Sequence, residues 1–253
     1  MSDKLNFITP NWPAPANVHA LQTNRDGGTS LAPYDSFNLG GHVGDKPIHL
    51  AHNRQRLSQY LPSEPVWLNQ VHGVNVLNLD EIVAANTDCL PDADASYTSR
   101  KNVVCVTMTA DCLPILLCDQ AGTAVASIHA GWRSLCDGVI EATVAKMPAK
   151  SADLMAWLGP AIGPNAFEVG FEVREQFIAK DAKSERAFKP QGENQEQEKW
   201  LADIYKIATQ RLNNCGITQI YGGGECTFTD EKRFFSFRRD GVTGRMASLI
   251  WLE

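Results

Sequence analysis

The chain of 253 residues has no long hydrophobic run: its apolar stretches, such as 103–108 and 115–118, fall far short of the roughly 20 residues a membrane-spanning helix needs. It has no cluster of Lys and Arg, and its net charge of −6 argues against nucleic acid or an anionic membrane surface as a partner. The seven cysteines are an odd set without a Cys-x-x-Cys pair, so neither a disulfide framework nor a short-loop zinc motif is indicated. No repeat or long low-complexity segment occurs. The first twenty residues lack the apolar core of a signal peptide and are broken by prolines, which sets the cytoplasm as the expected location.

What is present is ordinary for a soluble globular chain, 43% hydrophobic and 21% charged. "TNRDGGTSLAPYDSFNLGGHVGD" (23–45) reads as loop and turn, 47–61 as a helix, and 65–79 as strand interrupted at His72-Gly73. From 103 to 147 the pattern predicts strand, a polar interruption "TADCLP", strand, turn, strand and a helix closed by Pro148. Then come a strand within 154–164, a helix over 171–181, an exposed polar loop over 182–203, a helix over 202–216 stopped by Gly216, and two further strands. Strands dominate and helices do not alternate strictly with them, so the expected class is α+β, with 1–253 as one domain.

The interruption "TADCLP" places a carboxylate and a thiol between two core strands, where a plain reversal would favour Asn-Gly or Asp-Gly. Cys105 and Cys118 lie inside the apolar runs and read as buried small hydrophobes, but Cys112 does not. Of the six histidines, His19, His49 and His52 read as surface, whereas His72 and His129 each end an apolar run and have glycine close behind, in "VHG" and "IHAGW". Glycine there permits a sharp turn or a close approach by a ligand.

Two neutral imidazoles and a thiolate suit zinc and leave a fourth position open. The same residues also suit a nucleophilic Cys112 with His129 as base and Asp111 orienting the imidazole, and metal content separates the two. "NRDGGTS" offers Arg25, two glycines and Ser30, a set able to hold an anion, although such composition equally marks a surface turn. Arg133, the pair Arg238-Arg239 and Glu168 are further polar candidates.

At these residues the chain resembles the laccase-domain family, also called multicopper polyphenol oxidase-like or peptidoglycan editing factor proteins. The landmarks are "GGTSLAPYDSFNLGGHVGD", "NQVHG", "DADASYT", "MTADCLPILLCD", "IHAGWRSL", "WLGPAIGP", "FEVG" and "FFSFRRDGVTGRMASLIWL", in one order over nearly the whole length. The resemblance implies a four-layer α/β/β/α sandwich and a zinc site at His72, Cys112 and His129. It implies purine nucleoside phosphorylase activity toward adenosine, inosine and methylthioadenosine, with adenosine deaminase activity. Alternatives attached to the family are amidase editing of serine-containing peptidoglycan precursors and copper-dependent phenol oxidation.

Asn165 stands where relatives often carry cysteine, and Thr29 where valine is usual. The absence of any His-x-His pair removes the ligands of a multicopper centre, although copper(II) would compete for a single Cys/His₂ site in vitro. For phosphorolysis, Arg25, Ser30, Asn38 and His42 are the phosphate and ribose candidates. Asp111 is the acid/base candidate beside the metal. Trp132, Phe235 and Phe237 are candidates for a wall against a flat base, although the two phenylalanines have the spacing of one strand face. The expected partners are a purine nucleoside and phosphate, acted on by a monomer or homodimer.

Overall fold

The computed structural model describes residues 5–85, 92–191 and 199–253. The first elements are β1 (Phe7–Ile8), β2 (Val18–Thr23), α1 (Pro47–Ser58), β3 (Val76–Asn78), α2 (Leu79–Ala85), β4 (Ala95–Thr98) and β5 (Cys105–Thr109). Next come β6 (Leu113–Asp119), β7 (Val125–Ala130), α3 (Trp132–Asp137), α4 (Val139–Lys146), β8 (Leu154–Leu158) and β9 (Glu168–Gly170). The remainder comprises α5 (Phe171–Lys180), β10 (Phe188–Pro190), β11 (Lys199–Ala202), α6 (Ile204–Asn214), β12 (Gln219–Gly222), α7 (Phe237–Asp240) and β13 (Met246–Leu252).

Successive side chains of a strand point to opposite faces, and this alternation builds the layers. Along β6, Leu116 and Cys118 face one core while Ile115 and Leu117 face another. The six-stranded sheet runs β12-β8-β6-β7-β4-β3 and the four-stranded sheet β1-β2-β13-β5. Leu116, Cys118, Val125, Met155 and Trp157 of the first meet Cys105, Ile250 and Leu252 of the second. On the outer face of the larger sheet, Ile115, Leu117 and Ile128 pack under Leu135, Ile140, Phe177 and Leu212 of the helices. On the outer face of the smaller one, Val106 and Leu249 pack with Leu57 of α1 and the loop residues Phe37 and Leu39. The order is helix, sheet, sheet, helix, the α/β/β/α sandwich that the resemblance implied. Each fully buried leucine in these layers contributes roughly 1.5–3 kcal/mol, so the alternation fixes the strand registers.

Burial pushes the thiols of Cys105 and Cys118 up to about 12, which makes them packing groups rather than nucleophiles. α6 is capped by Asp203, whose side chain accepts from the Lys206 N–H at 2.9 Å. It ends before Gly216, which takes a φ of +89° that few other residues tolerate. Among the described residues no helix is long and apolar enough to cross a membrane.

Two expectations need correction. Strand structure over 65–79 is confined to β3 and isolated bridges at Val66 and Asn69, because the segment leaves the sheet to carry His72. The 182–203 stretch is not simply an exposed loop. Ala182–Ala187 forms a short 3₁₀ helix, and β11 pairs with β10 on one side and β9 on the other in a three-stranded sheet. Ser184, Ala187, Phe188 and Ala202 are buried, with Phe188 against the Phe177 ring at 5.9 Å. A few apolar residues in a polar segment suffice to dock it; residues 192–198 lie outside the described residues.

Candidate metal centre and pocket

The chain crosses from one sheet to the other at "TADC": β5 belongs to the four-stranded sheet and β6 to the six-stranded one. Asp111, with φ +90°, and Cys112 occupy the crossing and so sit where both sheets end. His129 lies on β7, and its Cα pairs in register with Pro114 of β6. His72 comes from the loop before β3, also with a left-handed φ of +61°. Backbone in this region costs a non-glycine residue of order 1–3 kcal/mol and persists only where surrounding bonds impose it.

Asp94 imposes it at His72. This fully buried residue accepts from the backbone N–H groups of Val71 at 3.2 Å, His72 at 2.9 Å and Gly73 at 2.6 Å. Its Oδ1 is also 2.8 Å from His129 Nδ1, and its carbonyl accepts the His129 N–H at 2.7 Å. Burial works against the charge, but His129 and the loop N–H groups outweigh it and hold the Asp94 carboxyl below its usual range. Gln70 ties the same loop to β5, donating to the Met108 carbonyl at 2.8 Å and accepting from its N–H at 2.7 Å.

The result is a compact donor set. Cys112 Sγ is 3.7 Å from His72 Nε2, and the ligand atoms of His72, Cys112 and His129 all lie within 4.8 Å of one another. A tetrahedral zinc with bonds of about 2.0–2.3 Å separates its ligand atoms by roughly 3.3–3.7 Å, so the set needs little adjustment. With Nδ1–H directed at Asp94, His129 turns Nε2 to the cluster, an outer-sphere bond typical of metal-binding histidines. Gly131 completes the cradle, since a Cβ there would lie 2.6 Å from His72 Cδ2 and 3.2 Å from Cys112 Sγ. The residues present therefore fit a borderline-soft metal ion.

The electrostatics agree. Burial raises the Cys112 thiol, but the charges and hydrogen bonds of His129 and His72 prevail and bring it down to about 6. Burial alone would lower His129, yet the Cys112 thiolate and Asp94 carry it up to about 9. Both shifts favour a thiolate beside an imidazolium, a sulfur prepared to accept a cation.

The cluster floors a pocket of about 420 Å³. Its lining is apolar at Trp132, Ile162, Phe167, Ile204 and Phe237 and polar at His42, Arg133, Arg238 and Arg245. Burial, Arg245 and His129 hold His42 below its usual range, hence neutral near pH 7. Arg245 spends only Nη1 on the chain, on the carbonyls of Thr243 and Gly244 at 3.0 Å each. Arg238 likewise gives Nη1 to the Glu168 carbonyl at 2.8 Å, and Arg133 stacks on Trp132 at 4.4 Å.

Of the eight site residues named from sequence, His42, His72, Asp111, Cys112 and His129 line this pocket and Arg25, Ser30 and Asn38 do not. Arg25 donates to the Asp35 carbonyl at 3.1 and 3.0 Å and to the Glu231 carbonyl at 3.0 Å, stacked 4.8 Å from the Phe235 ring. Ser30 donates to Asp45 Oδ2 at 2.6 Å and accepts from Asn53 at 2.9 Å. Asn38 is fully buried, bonding Gly40, Asp45 and the Arg245 N–H. Phe235 is core and forms no part of the pocket wall. Asp111 lines the pocket, but both of its oxygens accept from the chain itself, Thr227 Oγ1 and the Arg238 N–H at 2.6 Å each. Asp94, Gln70 and Arg245 went unnamed, and the available signal was their position inside "DADASYT", "NQVHG" and "FFSFRRDGVTGRMASLIWL"; Gly131 is the glycine behind His129 at which the sequence allowed a close approach.

Fold and donor set together define a protein of the laccase-domain type whose pocket carries a donor set suited to a metal ion. A family model described as multi-copper polyphenol oxidoreductase laccase matches residues 19–253, and the chain belongs to that family. It is 55% identical over 248 residues to "Purine nucleoside phosphorylase YfiH" of Escherichia coli, covering 97% of this chain and 98% of that protein. It is 53% identical over 251 residues to a purine nucleoside phosphorylase of Haemophilus influenzae, covering 98% and 100%. A crystal structure from Neisseria meningitidis superposes with a TM-score of 0.92 at 48% identity, covering 98% of this chain and 99% of the other. YlmD from Geobacillus stearothermophilus gives 0.85 at 27% identity, covering 100% and 98%. Among the described residues one three-ligand His/Cys cluster occurs, which suits a single ion.

Proposed function

We propose that the protein is a zinc-dependent purine nucleoside phosphorylase, converting adenosine, inosine or methylthioadenosine and phosphate into free base and pentose 1-phosphate. The observation that carries this reading is one pocket in which a three-donor metal cradle shares its lining with guanidinium groups and with aromatic and aliphatic surface. The names of the similar proteins point the same way.

In phosphorolysis the bond from C1′ to the purine nitrogen breaks, a phosphate oxygen bonds C1′, and the departing base takes up the electron pair and a proton. Arg245, with Arg238 and Arg133, lines the pocket and would hold the phosphate dianion, the task earlier expected of Arg25 and Ser30. His42, kept neutral, has one N–H to donate and one nitrogen to accept, which suits a ribose hydroxyl. Trp132 and Phe237 offer flat surface to the base. His72, Cys112 and His129 would hold the zinc, with Asp94 fixing the His129 tautomer. Zinc, when bound, supplies a Lewis acid that draws developing negative charge away from the reacting centre. Hydrolytic deamination of adenosine is a second activity for the same pocket, favoured by the neutral His42 as a proton-accepting group.

The competing reading is a cell-wall amidase. It draws on the run Cys112, His129, Asp94, the order of groups in cysteine hydrolases. Purified protein incubated with inosine, with and without phosphate, separates the two. The expected result is phosphate-dependent hypoxanthine release that falls roughly a thousandfold in Cys112→Ala together with bound zinc, while the melting temperature holds. Hypoxanthine release indifferent to phosphate, or turnover confined to a muramyl-serine precursor, would refute the phosphorylase reading.

A further inference from the structure

Asp111 makes more connections than a turn residue needs. Oδ1 accepts from Thr227 Oγ1 and Oδ2 from the Arg238 backbone N–H, both at 2.6 Å, while its own carbonyl accepts the Ile162 N–H at 2.9 Å. One residue with φ +90° thus joins the Cys112 crossing to the 161–163 loop, the 226–229 turn and α7. α7 is a single turn, and its first residue, Phe237, has 57% of its surface exposed, so packing does not fix that ring over the pocket. Arg239 anchors the far side of the turn on the carbonyls of Thr227, Phe228 and Phe234. On the pocket side the Arg238 N–H bond to Asp111 does so.

We propose that Asp111 is a positioning residue, a clasp that holds the Phe237–Arg238 segment and Thr227 against the Cys112 crossing and so fixes the wall on which the nucleoside rests. Each of its oxygens already accepts a hydrogen bond from a separate segment of the chain, which is what such a clasp requires. The kinetic part of this inference rests on the phosphorylase reading; the clasp itself does not.

The two roles separate in Asp111→Asn. An amide turns its oxygen to the Arg238 N–H and its NH₂ to Thr227 Oγ1, which accepts as readily as it donates, so both bonds survive while acid/base capacity is lost. Asp111→Ala loses both bonds. For inosine phosphorolysis, Asp111→Asn should stay within about threefold of the parent in kcat and KM. Asp111→Ala should raise the inosine KM roughly tenfold or more at unchanged zinc content, since each bond to a charged group that is lost matters on this scale. An Asp111→Asn protein that is folded, zinc-loaded and as inactive as Asp111→Ala would overturn the clasp in favour of proton transfer.

Amide hydrogen exchange at 236–240 gives a readout free of turnover. The Arg238 N–H should be equally protected in the parent and Asp111→Asn, and exchange at least about tenfold faster in Asp111→Ala, with Thr227→Val between them should the alanine variant not fold. Equal protection in every variant would sink the clasp. An inactive parent protein would instead sink the phosphorylase reading, with exchange still deciding for or against the clasp.

Discussion

Two polar, glycine-containing regions of this molecule look alike in sequence and behave oppositely in the fold. In the 23–45 loop, Arg25, Ser30, Asn38 and Asp45 point their donors and acceptors at one another and at nearby carbonyls, forming a closed network around Asn53. Around positions 72, 112 and 129 the backbone is just as tightly held, by Asp94 and Gln70, but three side-chain ligand atoms converge on one space. A closed network supplies rigidity; a convergent set of donors with room beside it supplies chemistry. Polar composition does not distinguish them, because it does not say whether a donor's partner belongs to the chain.

The largest effect that tests the contrast is the acidity of Cys112, about a thousandfold above an ordinary thiol. In chelator-treated protein its alkylation rate should be sustained above, and fall as pH drops through, about 6, because the thiolate is lost there. Cys105 and Cys118, raised to about 12, should stay unreactive, and added zinc should protect Cys112. A Cys112 midpoint above pH 8 would remove the thiolate–imidazolium pair.

Asp94→Ala should come next. It leaves three loop N–H groups and His129 without their acceptor, so zinc affinity by chelator competition should fall about 10–100-fold. Urea denaturation should show a loss of roughly 3 kcal/mol. Retained affinity would mean that the His72 loop holds its shape unaided.

The smallest effect compares two arginines. Arg245→Ala should raise the phosphate KM roughly tenfold. Arg25→Ala should leave it unchanged and cost about 1–2 kcal/mol of stability through lost carbonyl partners. The reverse pattern would return the phosphate site to the 23–45 loop.

His72, Cys112 and His129 could be singled out because each breaks an apolar strand pattern and the two histidines have glycine nearby. Asp94 carried no such mark: the acid in "DADASYT" looks like a solvated strand start, and its burial follows only from β4 pairing with β7 and the His72 loop folding over it. Arg245 was equally hidden, one cation among several near the last strand. The 182–203 segment misled because charge dominates its composition, whereas Ala187, Phe188 and Ala202 decide where it docks.

The sequence by itself determined the core strands β5 to β8, through short apolar runs, and the break between β5 and β6, through the polar "TADC" that such a run cannot accommodate. It also supplied the kind of chemistry, since imidazole and thiolate are metal donors wherever they lie. Only the tertiary structure decided that side chains 40 and 17 positions apart share one centre, and which arginines face the pocket. The physical reason is that periodicity is local, whereas their meeting depends on a crossing between two sheets and on a buried carboxylate that pulls a distant loop into place.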